Sequence, residues 1–123
     1  MSTNASKAFH QVLPPTASGQ NAVQVSATST SANSLPIFTG LGSDAPTGKC
    51  YVTFEAVTES CYIRVLAADD ASPDVTNQTG MLVKADSPGV SYWLDVATQG
   101  YVEFKATGSG YLKWYVASPD YED

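Results

Sequence analysis

Hydrophobic and polar residues alternate along two neighbouring segments late in the chain, Tyr101-Val-Glu-Phe-Lys-Ala106 and Tyr111-Leu-Lys-Trp-Tyr-Val116. A period of two is typical of a β-strand with one buried face and one solvent-facing side. Because only Thr107-Gly108-Ser109-Gly110 separates the segments, we predict a hairpin that places their large apolar residues on one face. The same register would put Lys105 opposite Lys113, a mildly unfavourable pair.

Similar short alternations recur along most of the chain and define the fold class. A second hairpin is predicted over Lys49–Ala67, and further strands near Val23, Leu35, Met81 and Val90. No stretch shows helical periodicity beyond a single turn. About eight short strands spaced by roughly 8–12 residues are typical of a sandwich or jelly roll. We therefore expect an all-β protein, an antiparallel β-sandwich or jelly-roll-like domain with an extended N-terminal arm.

Composition divides the chain into three parts. Residues 1–21 are predicted to form a polar arm, residues 22–118 the β-sandwich domain, and residues 119–123 an acidic tail. The arm is either disordered or extended across a neighbouring subunit and ordered by that contact. In the second case its few apolar residues would serve as anchors, namely Phe9, Val12 and Leu13.

The charge of the chain limits its partners. The net charge is −6, and only 15% of the residues are charged. The six cationic residues are scattered, so we expect no nucleic-acid partner. A surface kept soluble by neutral polar groups is often one that associates with other proteins. We find no apolar window of transmembrane length and no signal peptide, so we expect no membrane partner and synthesis in a cytoplasm.

The two cysteines are predicted to be reduced and buried. If the segments of Cys50 and Cys61 pair as a hairpin, the two residues lie ~20 Å apart at about 3.3 Å per residue. That separation is far beyond the reach of a disulfide, whose Cα atoms lie within about 7 Å of each other.

The residue types needed for catalysis are scarce, so we expect no enzyme, no catalytic residues and no cofactor. The single histidine is His10, in the predicted arm, and no His or Cys spacing fits zinc. Glu55 and Glu103 lie on strands but are expected to face outward without converging, unlike the facing carboxylates of a glycosidase. An acidic loop containing Asp69, Asp70 and Asp74 could bind calcium, but we expect it to be a solvated loop without a metal.

Aromatic residues on the outward side of the strands are the strongest candidates for binding. Tyr101, Tyr111 and Tyr115 share the outward parity of the predicted last hairpin. Either Tyr92 or Trp93 also faces outward. Such residues are enriched at protein interfaces and at sugar-stacking sites, although packing under the arm would explain them equally well.

Several strand segments together resemble a known group of proteins. These segments are Tyr51-Val-Thr-Phe54, Cys61-Tyr-Ile-Arg64, Thr79-Gly-Met-Leu82, Tyr92-Trp-Leu-Asp95, Tyr101-Val-Glu-Phe104 and Gly110-Tyr-Leu-Lys-Trp-Tyr115. They resemble small virion proteins of tailed bacteriophages that decorate or cement the capsid. The likeness runs from about residue 23 to residue 118 and consists of strand patterns.

The resemblance implies a β-sandwich that binds the outer surface of an assembled capsid and stabilises contacts between subunits of the major capsid protein. It also implies a homodimer or homotrimer located on the virion exterior after synthesis in the host cytoplasm. The residues expected to bind are Phe9, Val12, Leu13, Tyr101, Tyr111 and Tyr115. The alternative is a receptor- or glycan-binding module of a tail fibre or spike, which would use the same aromatic residues for stacking.

Overall fold

A computed structural model describes residues 22–39 and 48–117, which form two four-stranded antiparallel sheets without a helix. The strands are β1 (Ala22–Ala27), β2 (Asn33–Pro36), β3 (Lys49–Val57), β4 (Cys61–Leu66), β5 (Met81–Val83), β6 (Val90–Asp95), β7 (Tyr101–Ala106) and β8 (Gly110–Ala117). The all-β sandwich expected from the sequence is confirmed. The predicted arm and the acidic tail lie outside the described residues.

The strand order is nested. The first sheet has the order β1-β8-β3-β6, and the second has the order β2-β7-β4-β5. The first strand therefore pairs with the eighth, the second with the seventh, the third with the sixth and the fourth with the fifth. Among the described strands, only β4 and β5 pair with a neighbour in sequence, so nearly all sheet contacts are long-range.

Both predicted hairpins are wrong. β7 and β8 belong to different sheets, and so do β3 and β4. Alternation identifies the buried face of a strand but not its hydrogen-bonding partner, and two strands that face each other across a core have the same pattern. In the observed pairing Lys105 lies opposite Tyr62, and Lys113 lies opposite Glu55. The like-charge pair of the predicted hairpin is thereby avoided.

The short connections between the sheets pack side by side at one end of the sandwich. The backbone N–H of Thr107 donates to the carbonyl of Ser60 over 2.9 Å, which joins the β7–β8 connection to the β3–β4 connection. The N–H of Ala106 donates to the carbonyl of Thr28 over 3.0 Å, which adds the β1–β2 connection. These hydrogen bonds satisfy backbone groups where the chain leaves the sheets.

The core lies between the sheets and contains the apolar residues that alternation predicted to be inward. Phe104 and Trp114 are both buried, and the Trp114 ring packs 6.1 Å from the Phe54 ring, centroid to centroid. The Trp114 indole N–H donates to the carbonyl of Ile37 over 2.8 Å and so links the two sheets. Cys50 and Cys61 are buried and free, one in each sheet. The predicted burial of both thiols is therefore confirmed, although the hairpin used to exclude a disulfide is wrong.

Candidate functional site

The outer side of the first sheet presents an aromatic surface that we call the tyrosine face. It consists of Tyr51, Trp93, Tyr111, Lys113 and Tyr115, which alternate with core residues along β3, β6 and β8. Across the sheet, Tyr111 lies opposite Val57 and Tyr115 lies opposite Thr53. Adjacent strands thus place these side chains on one surface.

The tyrosine face is partly open to solvent. Tyr111 is 43% exposed and Trp93 is 41% exposed, two of the four large hydrophobic residues exposed among the described residues. The Trp93 ring packs against Tyr51 with 4.7 Å between ring centroids and an interplanar angle of 55°. Trp93 is the outward member of the Tyr92–Trp93 pair, since Tyr92 packs on the core residue Phe54.

Only part of the predicted binding set lies on this face. Tyr111 and Tyr115 do, but Tyr101 lies on the outer side of the second sheet, because β7 does not pair with β8. The expectation that the three tyrosines share one surface is therefore wrong. Phe9, Val12 and Leu13 lie outside the described residues.

The outer side of the second sheet is covered in part, while Leu82 of β5 remains 49% exposed. The loop of residues 67–80 between β4 and β5, which we call the acidic loop, folds back over it. The Asp70 N–H donates to Ser34 Oγ of β2 over 3.1 Å, and the Asp74 N–H donates to Glu103 Oε2 of β7 over 2.8 Å. Val75 of the same loop is completely buried. The acidic loop is therefore an ordered part of the sandwich and not a purely solvated segment.

Beneath the acidic loop, Arg64 joins three carboxylates. Its Nη2 lies 2.7 Å from Asp74 Oδ1, 2.9 Å from Glu103 Oε2 and 3.7 Å from Asp70 Oδ2. The backbone N–H of Ser72 donates to Asp70 Oδ1 and, together with the Glu103 contact and the Arg64 charge, lowers the pKa of Asp70. The Glu103 side chain has no exposed surface.

The sequence predicts Asp70 and Asp74 as candidate ligands but does not indicate Glu103 and Arg64 as their partners. Glu103 does point away from the core, as its parity predicts, yet the acidic loop buries it. Only the β4–β7 register, which places Arg64 opposite Glu103, brings the four side chains together. One signal in the sequence could have indicated this contact. Glu103 stands between the apolar residues Val102 and Phe104, and Arg64 has the outward parity that would let it pair with a carboxylate on a neighbouring strand.

A small apolar pocket opens at the edge of the sandwich beside the short strand β5. β5 pairs only with Cys61–Ile63 of β4. Among the described residues, the remaining part of β4 therefore has no neighbouring strand on that side. The pocket has a volume of about 180 Å³ and is lined mainly by Ile63, Val65, Met81, Tyr92 and Leu94. This volume suits one aliphatic group of a partner better than a whole cofactor.

The described residues provide little nucleophilic chemistry. Burial raises the pKa of both Cys50 and Cys61 to about 11, so both thiols are protonated at neutral pH. His10, the single histidine of the sequence, lies outside the described residues. Within residues 22–39 and 48–117 we find no helix long and apolar enough to cross a membrane.

Comparison with known proteins adds no assignment. No protein-family model, curated protein or solved structure matches this chain. The two outer surfaces of the sandwich are the features of this chain that bear on its function.

Proposed function

We propose that this chain is a non-enzymatic virion structural protein that binds the exterior of a bacteriophage capsid and stabilises contacts between subunits of the major capsid protein. The observation that carries the proposal is the difference between the two outer surfaces. The protein's own acidic loop covers the second sheet around Arg64 and Glu103, whereas the tyrosine face of the first sheet carries the two large aromatic residues that are exposed among the described residues, Tyr111 and Trp93. A partly exposed aromatic surface of this kind is suited to binding another protein.

The strand order supports a capsid-associated fold. We infer that the nested pairing is a jelly-roll wrapping, in which a long antiparallel ribbon is folded into two sheets. Jelly rolls occur in viral capsid and lectin domains, so this inference agrees with both candidate functions.

Cementing requires many weak contacts and not one strong one. A buried aromatic residue contributes about 1.5–3 kcal/mol, and repeated copies on a shell act together. We propose that Tyr111 and Tyr115 provide such contacts on the sheet, and that Phe9, Val12 and Leu13 provide them from the arm. A homodimer or homotrimer would present two or three tyrosine faces to neighbouring capsid subunits.

The test is the copy number of the chain in gradient-purified virions, measured by quantitative mass spectrometry against the major capsid protein. A ratio near one, or a simple fraction of one, is expected for a capsid cement.

In a binding assay with shells lacking the protein, Tyr111→Ala and Tyr115→Ala should weaken binding. Tyr101→Ala is the matched control, because it removes the same side chain from the other sheet. Absence from virions, or equal binding by all three variants, would contradict the proposal.

The second candidate is a receptor- or glycan-binding module of a tail fibre or spike. The tilted pair of Tyr51 and Trp93 rings favours it, since sugar rings stack on exposed aromatic side chains. A copy number of a few per cent of the capsid protein, with glycan binding that Trp93→Ala abolishes, would favour this function over cementing.

A further inference from the structure

The edge of the sandwich beside β5 is open among the described residues. β5 is only three residues long, and its pairing with β4 ends where Met81 lies opposite Ile63. Val65 of β4 and Tyr92 of β6 pack against the core, yet both are only partly buried. Natural sheets usually cover such an edge, because an unpaired strand beside apolar side chains recruits other chains. A further segment is therefore expected to cover it.

The pocket in this edge has the size and the lining for one aliphatic side chain. Its volume is about 180 Å³, and Ile63, Val65, Met81 and Leu94 contribute to its apolar wall. Met81 is 60% exposed, and its Sδ accepts the hydroxyl of Tyr92 over 3.4 Å. An unbranched methionine at the mouth of a pocket can adjust to an occupant. A leucine-sized side chain placed here would lose most of its contact with water, which stabilises the docked state.

We propose that Leu13, from the predicted arm of the same molecule, fills this pocket and that residues 7–13 cover the open edge. Val12 and Leu13 are adjacent aliphatic residues in an otherwise mainly polar segment. Leu13 precedes Pro14, and a residue before proline favours the extended backbone that can lie along a strand edge. Pro14 and Pro15 have no backbone N–H, so pairing along the edge ends there.

The arm is long enough to reach the pocket of its own molecule. It leads into β1, which begins at Ala22 and forms the opposite edge of the first sheet from β6. β1 also begins toward the end of the sheet that contains the pocket residue Leu94. Three strand spacings separate β1 from β6, a distance of about 14 Å, whereas the chain from Leu13 to Ala22 can extend to about 30 Å. An intramolecular contact has the higher effective concentration, so the arm binds its own molecule before a neighbour.

The charges of the arm and of this edge are complementary. Residues 1–21 contain Lys7 and no aspartate or glutamate. The acidic loop, which connects β4 to β5 beside the pocket, contains three aspartates and no lysine or arginine. Arg64 offsets one of these charges, and Asp69 and Asp74 are exposed. An arm that lies along the edge therefore brings Lys7 toward a surface of opposite charge.

Docking keeps the aliphatic residues of the arm out of water in the free protein. On a capsid, the shell would compete with the pocket for Val12 and Leu13. The contact itself does not depend on what the arm or the tyrosine face binds, so it can be tested on the isolated protein.

The experiment is disulfide cross-linking of the full chain under mild oxidation. The double variant Leu13→Cys/Met81→Cys should form an intramolecular disulfide, because docking brings the two Cα atoms within about 7 Å of each other. Met81 is mostly exposed, so its replacement leaves the core intact. Cys50 and Cys61 do not compete, since burial raises the pKa of each thiol to about 11.

The matched control is Leu13→Cys/Ser109→Cys, because Ser109 is also exposed but lies in the connection between β7 and β8. The Met81 pair should cross-link at least about ten-fold faster than the Ser109 pair. Equal rates would overturn the docking. A disulfide-linked dimer, seen on a non-reducing gel, would overturn the assignment to the same molecule and identify a second copy as the occupant.

A charge reversal tests the direction of the arm along the edge. In the Leu13→Cys/Met81→Cys chain, Lys7→Glu should slow the cross-linking by about two- to five-fold at low salt, and less at high salt. Lys113→Glu is the control, because it makes the same change on the tyrosine face. Equal effects of the two reversals would overturn the placement of Lys7 beside the acidic loop.

Discussion

Glu103 and Arg64 lie directly opposite each other on β7 and β4, and Arg64 Nη2 donates to Glu103 Oε2 over 2.9 Å. The glutamate side chain is completely buried, whereas 29% of the arginine side chain is exposed. A buried carboxylate depends on its partner, because removing the partner leaves an uncompensated charge in a medium of low polarity.

We therefore predict that Arg64→Met lowers the free energy of unfolding by about 2–3 kcal/mol. This is less than the 3–5 kcal/mol typical of a fully buried pair, since Arg64 contacts solvent. Urea unfolding measures the change. Lys113→Met is the control, because Lys113 lies opposite the half-buried Glu55 and its loss should cost under about 1 kcal/mol. Equal effects of the two substitutions would contradict the prediction. The double variant Arg64→Met/Glu103→Leu should recover much of the stability that Arg64→Met loses, because it removes the buried charge together with its partner.

The lowered pKa of Asp70 predicts a loss of stability in acid. The pKa in the folded state lies below its ordinary value of 3.8, mainly because the Ser72 N–H donates to the carboxylate. A group of this kind stabilises the folded state above its unfolded-state pKa, and this contribution disappears as the pH falls through the folded-state pKa. Unfolding midpoints in urea between about pH 5 and about pH 2 should therefore fall less steeply for Asp70→Asn than for wild type. An unchanged slope in Asp70→Asn would show that other carboxylates cause the acid sensitivity.

The hydrogen bond between the sheets predicts different roles for the two tryptophans. Trp114→Phe removes the donor to the Ile37 carbonyl and leaves a small void in the core. We expect it to lower the free energy of unfolding by about 2 kcal/mol. Trp93→Phe, at an outward position that is 41% exposed, should cost under about 1 kcal/mol. Chemical denaturation of the two variants measures both losses in the free energy of unfolding. A larger loss for Trp93→Phe than for Trp114→Phe would contradict the observed placement of the rings.

The packed connections between the sheets predict different tolerance at two nearby glycines. A Cβ at Gly110 would lie 2.5 Å from the Val57 carbonyl oxygen, which is backbone and cannot easily move. A Cβ at Gly108 would meet the end of the Glu59 side chain at 2.7 Å, and that side chain can rotate away. We expect Gly110→Ala to cost about 2 kcal/mol or more, and Gly108→Ala under about 1 kcal/mol, measured by thermal or urea unfolding. Similar costs would contradict the close approach of Gly110 to the Val57 backbone.

The two cysteines should be unreactive in the folded protein. Burial raises the pKa of each thiol to about 11, so only about one molecule in a thousand carries the thiolate at pH 8. A colorimetric disulfide reagent should label both thiols in urea but react with the native protein only as it unfolds. Between about pH 9 and about pH 11 the unfolded state loses thiol protons that the folded state retains, so stability should fall as the pH rises. Rapid labelling of either thiol in native protein would contradict the burial.

Much of the fold could be predicted from the alternation of residues. The segments around Phe104 and Trp114 are strands, and both residues lie in the core where parity placed them. The burial of both cysteines followed from the same reasoning. Each of these conclusions depends only on a local period of two, which a strand imposes on its own side chains.

The candidate site could be predicted only in part. Tyr111 and Tyr115 share an outward surface as expected, but Tyr101 does not, because a short Gly-Ser-Gly connection can join strands of the same sheet or of opposite sheets. The charges of the strands argue against the predicted hairpin, because it would have paired two lysines. The observed pairing sets Lys113 opposite Glu55, where the hairpin required Lys113 opposite Lys105.

The sequence by itself determined the strands, their buried sides and the class of the fold, since all three depend on the local period of polar and apolar residues. The tertiary structure alone decided which strands are neighbours, and with them the tyrosine face and the cluster around Arg64. These features join residues far apart in sequence, such as Arg64 and Glu103. Their contacts form only when long-range packing outweighs the entropy of bringing distant segments together.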